Sequence, residues 1–247
     1  MKFQLRPVLS EMKDFYSQPI SEARFKAYLA KLQGATKGDM TLPISGFNPM
    51  AKDHILKKID ELQKLNAESL MQQVISEFNS RTNTSEKDIF TIVLNLADDL
   101  KGRWTNHYVT DFESKFKLNA FIQRKFCVPY FWTSESYTAE LIKTRTAEYI
   151  NRTSYRTKHP QPTTLKDHLE QEIFVATKAK MTIDEKSVDK HSHLQSFYQE
   201  NQESEDYGLI FNFFYGDSGS ESLGYKSYGI YSSNGYEYAK ILAKARQ

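Results

Sequence analysis

A single cysteine, Cys127, is all that this chain of 247 residues holds. No internal disulfide can form from it, and Cys-only zinc sites and CxxC redox motifs are excluded. A reducing compartment fits that scarcity. Charge of one sign is lacking as well: 33 basic residues against 31 acidic ones leave +2, so no large uniform field is expected. The stretch from Met1 to Tyr16 has no continuous apolar run of about 7–15 residues, which argues against a signal peptide. No window approaches the roughly 20 apolar residues of a membrane span. These absences predict a cytoplasmic protein with no membrane partner. A Walker loop, a Rossmann fingerprint, a kinase set, a metal motif of defined spacing and any internal repeat are missing too, so no cofactor can be read.

What is present is aromatic: 16 Phe and 15 Tyr among 13% aromatics, although hydrophobic content is only 39%. A buried Phe contributes about 1.5–3 kcal/mol, so an aromatic-heavy core suffices without staples. Apolar spacing predicts helices in the N-terminal half. Pro7 to Tyr16 reads as a short one. Pro19 then fits a first helical position, ahead of Phe25, Tyr28, Leu29 and Leu32 on one face, with Gly34 as the stop. Asn48-Pro49 reads as a cap followed by a helix carrying Ile55, Ile59 and Leu62. A turn near Asn66 joins it to a helix bearing Leu70, Met71, Val74, Ile75 and Phe78.

The centre of the chain is Asp88 to Trp132, which holds both tryptophans, the cysteine and the tightest group of carboxylates near a histidine. Ser85 with Asp88 resembles a capping box. Ile89, Ile92, Val93, Leu96 and Leu100 then fit a helix face ended by Gly102, although the β-branched content of the run also suits a buried strand; helix is the preferred reading. Arg103 to Phe116 is open between helix and extended chain. Lys125 to Thr133 reads as a short strand with Pro129 at an edge or bend. Ser134 or Ser136 would cap a helix to about Arg152, and the segment from Thr153 to Thr163 reads as loop. Thr164 with Asp167 opens another helix. Thr182 to Asp206 is acidic and reads as an excursion or a poorly packed helix. Tyr207 to Tyr215 is the clearest strand signal, with Ser222 to Tyr231 as a second strand. Asn234, with Glu237, would cap a final helix. The expected fold class is α+β, predominantly helical, with a small sheet from the middle and the C-terminal third. One integrated domain over 1–247 is expected, helical to about residue 101 and mixed over 102–247.

Asp98, Asp99, His107 and Asp111, with Glu113 nearby, are the candidate catalytic group. Carboxylates hold hard cations and a neighbouring histidine can shuttle protons. Asp98-Asp99 at a helix C-terminus would oppose the macrodipole, an odd choice for structure alone; ion pairs to Lys101 or Arg103 are the plainer account. A second candidate is a basic tract, where Lys143, Arg145, Arg152, Arg156 and Lys158 face one acid, Glu148, between Ile142 and Pro160. With the aromatic surface of Trp104, Tyr149 and Tyr155, it could take nucleic acid or another phosphate-bearing ligand, cations meeting phosphates and rings stacking on bases. The downstream acidic tract could equally neutralise it.

His168 and Glu172 share a helix face, but a core-edge histidine explains them. His191 and His193 read as loop residues, and Cys127 as a buried apolar one. Gly216-Asp217-Ser218-Gly219 is similar to the nucleophile segment of chymotrypsin-type serine proteases over those residues alone. That class needs an all-β double barrel, so the segment is read as a turn after a strand. Tyrosines clustered between Tyr207 and Tyr238 could mediate self-association. Three functions follow in order: a non-catalytic binding protein for an anionic partner, a metal-assisted hydrolase built on residues 98–113, and a self-associating structural protein.

Overall fold

Helices dominate, at 58% of the described residues, with a few short parallel strands in the middle. The structure is a computed structural model that describes residues 1–33, 39–82, 88–100, 104–181, 192–231 and 234–246. The readings that involve Gly34, Ser85, Gly102, Lys101, Arg103, His191 and the stretch 182–191 lie outside those residues. The chain divides into two compact units, Met1–Ser114 with Asn119–Ile150, and Lys115–Leu118 with Asn151–Gln247.

The first unit starts with a strand that apolar spacing did not reveal, β1 (Lys2–Leu5), followed by α1 (Leu9–Tyr16) and α2 (Glu22–Leu32). Helix α2 starts at Glu22 and not at Pro19, and Ser21 caps it, its hydroxyl accepting the Arg24 N–H at 3.1 Å. The hairpin α3 (Asp53–Lys64) and α4 (Ala67–Ser80) turns at Asn66, which is left-handed at φ 51°. Its apolar stripes bury Ile55, Ile59, Leu62, Met71 and Ile75 completely. Helix α3 begins at Asp53 rather than after Asn48-Pro49.

The run expected as a helix is extended. It forms β2 (Ile89–Ile92) and β3 (Asn95–Ala97). β2 lies between β1 and β4 (Phe126–Cys127), and β3 pairs with β5 (Tyr130–Trp132), all parallel. A parallel strand is covered on both faces, so it reads as a continuous apolar run and its period is hidden. Ile92 to Ala97 are all buried. Pro129 stands at the bend between β4 and β5, where its carbonyl accepts the Asn95 N–H at 3.0 Å. The registers Asn95 to Tyr130 and Ala97 to Trp132 bring Asp98-Asp99 and Thr133-Ser134 to the same carboxyl edge. Between the strands lie α5 (His107–Phe116) and α6 (Asn119–Gln123).

Helix α7 (Ala139–Arg156) is capped by Thr138, whose hydroxyl accepts the Leu141 N–H at 3.1 Å, rather than by Ser134 or Ser136. It absorbs Thr153 to Arg156, which were expected as loop. In the second unit, α8 (Leu165–Lys178) carries the expected capping box of Thr164 and Asp167. Next come α9 (Ser192–Asn201), α10 (Tyr207–Glu221) and α11 (Asn234–Ala245). α10 replaces the strand expected over Tyr207 to Tyr215, and no strand forms over Ser222 to Tyr231. The reason is burial all round: every residue from Leu209 to Gly216 is inside. An all-round apolar run does not separate a buried helix from a buried strand. Asp206 decides the matter by capping, its carboxylate accepting the Leu209 N–H at 2.6 Å. Phe211 and Tyr215 then stack four residues apart, at 4.7 Å. Gly216 is a break inside the helix, at φ 70° and ψ −177°, and not a turn after a strand.

Candidate active site

Ala97 ends β3, and the two residues after it carry carboxylates. Asp98 is fully buried. Its Oδ1 accepts from His54 Nε2 at 2.9 Å and lies 3.1 Å from Thr133 Oγ1, while Oδ2 accepts from Asn48 Nδ2 at 2.8 Å. Asp99 Oδ2 accepts from His107 Nδ1 at 2.7 Å and from Ser134 Oγ at 2.6 Å. Its Oδ1 accepts the Ser134 N–H at 3.0 Å and lies 3.0 Å from Thr133 Oγ1. Consecutive carboxylates thus hold two histidines, one from the first turn of α3 and one from the start of α5.

Local structure places each part. Asn106 starts α5 by accepting the Val109 N–H at 3.1 Å, which puts His107 at its first turn. The His107 ring lies 4.1 Å from that of Trp132, so one face is packed while the side chain keeps 43% exposure. The His54 side chain keeps 17%. The loop before α3 is clamped to β3: Gly46 N–H donates to Asn95 Oδ1 at 3.1 Å, and Asp98 N–H to the Gly46 carbonyl at 3.1 Å. A Cβ on Gly46 would come within 2.8 Å of Asn95 Oδ1 and 3.0 Å of Ala97 Cα, so only glycine permits this approach. Arg24 secures the other end of the loop through the carbonyls of Pro49 at 2.8 Å and Ala51 at 2.7 Å.

Burial by itself would raise the Asp99 pKa. The His107 ring, the Ser134 and Thr133 hydroxyls and the Ser134 amide outweigh it and hold the carboxyl at about 2. Asp99 is therefore an anion throughout the neutral range. Every oxygen of both carboxylates already faces a protein donor, which suits groups that orient imidazoles. Among the described residues, no set of three His, Cys, Asp or Glu side chains is placed to hold a metal ion. The outer nitrogens, Nδ1 of His54 and Nε2 of His107, have no hydrogen bond from the described residues.

Of the candidate catalytic residues, Asp98, Asp99 and His107 come together. Asp111 is buried one turn further along α5, and Glu113 is exposed there. Sequence reasoning missed Asn48, His54, Thr133 and Ser134. Asn48-Pro49 carried a signal, but its side chain anchors Asp98 instead of capping α3. Trp104 stands beside the site at 42% exposure, its indole N–H donating to the Ser45 carbonyl at 2.9 Å.

The basic tract is largely occupied from within. Arg145 is paired with Glu135 and lies over the Phe131 ring at 5.1 Å. Arg152 grips Glu172 with two bonds of 2.8 and 2.6 Å, both residues buried. Burial opposes ionisation of Glu172, but Arg152 holds its carboxyl below the usual range. Arg156 is buried and donates to the carbonyls of His159, at 2.9 Å, and Pro160. Lys158 is exposed and Lys143 partly so. Tyr149 is buried with its hydroxyl 2.6 Å from Ser114 Oγ, and Tyr155 stacks on His159 at 4.1 Å. His168 is also buried, bonded through Nδ1 to the Thr164 carbonyl at 2.7 Å, so it and Glu172 serve separate partners. Among the described residues, no helix is long and apolar enough to cross a membrane.

Comparison with known protein families, with characterised proteins and with solved structures finds no match to this chain.

Proposed function

We propose that the chain is a hydrolase working by general acid–base catalysis, with His54 and His107 as the proton-carrying groups at an ester- or amide-class bond. The observation that carries this reading is the pairing of consecutive carboxylates with two histidines around one threonine hydroxyl. A carboxylate on one imidazole nitrogen fixes the tautomer and ring orientation and leaves the other nitrogen to take or give a proton. One such group can draw a proton from water while the other supplies one to the leaving oxygen or nitrogen. The carboxyl edge of parallel strands, where both pairs stand, is the usual ligand position in parallel α/β sheets. In this reading Asp98 and Asp99, expected as catalytic groups, orient the rings, and the histidines carry the protons.

The test is hydrolysis of p-nitrophenyl acetate and a p-nitroanilide by the full chain, with His54→Ala and His107→Ala beside it. Each substitution is expected to lower kcat/KM by ~10²–10⁴ while the far-UV spectrum is unchanged. Turnover no faster than buffer, or variants as active as the parent, would overturn the reading.

A second reading, binding of a polyanion, is favoured by exposed Lys158 beside the Tyr155–His159 stack. It predicts binding to single-stranded oligonucleotides that falls steeply with salt and is weakened in Lys158→Ala.

A further inference from the structure

Thr133 stands between the two pairs. Its backbone N–H donates to the Ala97 carbonyl at 3.0 Å, which fixes it opposite the end of β3. Its hydroxyl oxygen accepts the Asp99 N–H at 3.2 Å and lies 3.1 Å from Asp98 Oδ1 and 3.0 Å from Asp99 Oδ1. The residue is 1% exposed. A hydroxyl has one proton to donate. Two carboxylate oxygens stand within reach of it, and at any instant one of them faces a lone pair instead.

We infer that Thr133 is a positioning residue that links the two pairs, so that a proton on one imidazole disfavours a proton on the other. The inference rests on the acid–base reading. A proton arriving on His54 turns that pair into an imidazolium beside the Asp98 carboxylate, which no longer needs the hydroxyl. Thr133 then donates to Asp99, and the extra donor weakens the pull of Asp99 on a proton at His107. The reverse holds when His107 is protonated first. Coupling of this sign favours one acid beside one base over two of either, which is the arrangement that acid–base hydrolysis needs.

Among the described residues, several ionisable groups near the two pairs are neutral or already paired. Burial pushes the hydroxyls of Tyr16, beside Asp98, and Tyr137, near Asp99, well above their ordinary range, so both stay neutral. Arg24 remains a cation, committed to backbone carbonyls. Lys58, one turn beyond His54 on α3, is paired with Glu61 at 2.9 Å, and Glu135 is paired with Arg145. The Asn48 amide and the Ser134 hydroxyl and amide are fixed donors that serve one carboxylate each.

The experiment follows the imidazole Cε1–H signals of the full chain by NMR across pH, in the parent, His54→Gln and His107→Gln. Each is made with Thr133 intact, as Thr133→Ser and as Thr133→Val. With Thr133 or Ser at the position, the imidazole that takes its proton second gains it at a pH about one unit higher once the other histidine is replaced, the worth of one hydrogen bond to a charged group. With Val, that displacement falls to less than half. Should Val prevent folding, Thr133→Ala replaces it. Equal displacement in the Val and parent backgrounds means plain charge repulsion and overturns the inference, as does no displacement in the parent. A parent that shows the displacement but hydrolyses nothing retires the acid–base reading and keeps the coupling.

Discussion

Asp99 shows how a single side chain acquires its role. Its pKa is lowered from 3.8 to about 2 because the donors around it outweigh its burial. A lowered folded-state value stabilises the fold above the unfolded-state value and loses that contribution as pH falls through the folded one. Asp99→Asn is therefore expected to unfold more easily than the parent at neutral pH. The gap in urea midpoint should close as the pH is taken from about 4 to about 2, the window set by those two values. Arg152 makes the opposite point. Counted along the chain it is one cation of a basic tract. In the fold its guanidinium is spent on Glu172. Arg152→Ala strands that buried carboxylate and should cost about 3–5 kcal/mol in chemical denaturation. A surface cation would register nearly nothing in the same measurement.

Among the elements, the loop before α3 and the helix α10 each depend on a glycine. Gly46 lets the loop lie against β3 and so delivers Asn48 and His54 to Asp98. Gly46→Ala forces the loop off the strand and is expected to destabilise by about 1–3 kcal/mol. It should also disturb the His54 imidazole signals, whereas an alanine placed at an exposed loop position would leave them alone. Gly216 breaks α10 with a backbone that side chains avoid. The break lets Asp217 turn back, its carboxylate accepting the N–H groups of Tyr228 at 2.9 Å and Gly229 at 3.0 Å. Gly216→Ala should cost about 1–3 kcal/mol in a urea titration and loosen the segment from Tyr225 to Ile230 in hydrogen exchange.

At the scale of the molecule, the mainly helical α+β class was open to sequence reading because α3, α4, α7 and α8 each have a polar side. A far-UV spectrum dominated by helix, with little strand signal, checks it directly; a sheet-dominated spectrum contradicts the fold. The cores are aromatic, as the composition requires. In the second unit Phe213, Phe214, Tyr236 and Tyr238 interlock, with Phe214 and Tyr236 at 4.9 Å and Phe213 and Tyr238 at 6.4 Å. Most of the tyrosines that could have served self-association are thereby engaged within the fold, and Tyr231 is the one left at 82% exposure.

Local chemistry alone settled the amphipathic helices, the capping box at Thr164, the bend at Pro129 and the candidacy of Asp98, Asp99 and His107. Each of these depends on neighbours within a few positions, where spacing and cap residues act. Tertiary structure decided that Ile89 to Ala97 is extended and Tyr207 to Tyr215 helical, because a run buried on every side carries no period to read. It also decided the site. Asn48, His54 and Thr133 lie 50, 44 and 35 positions from Asp98, and only the parallel register of β3 with β5 and the close approach at Gly46 bring them within hydrogen-bond reach.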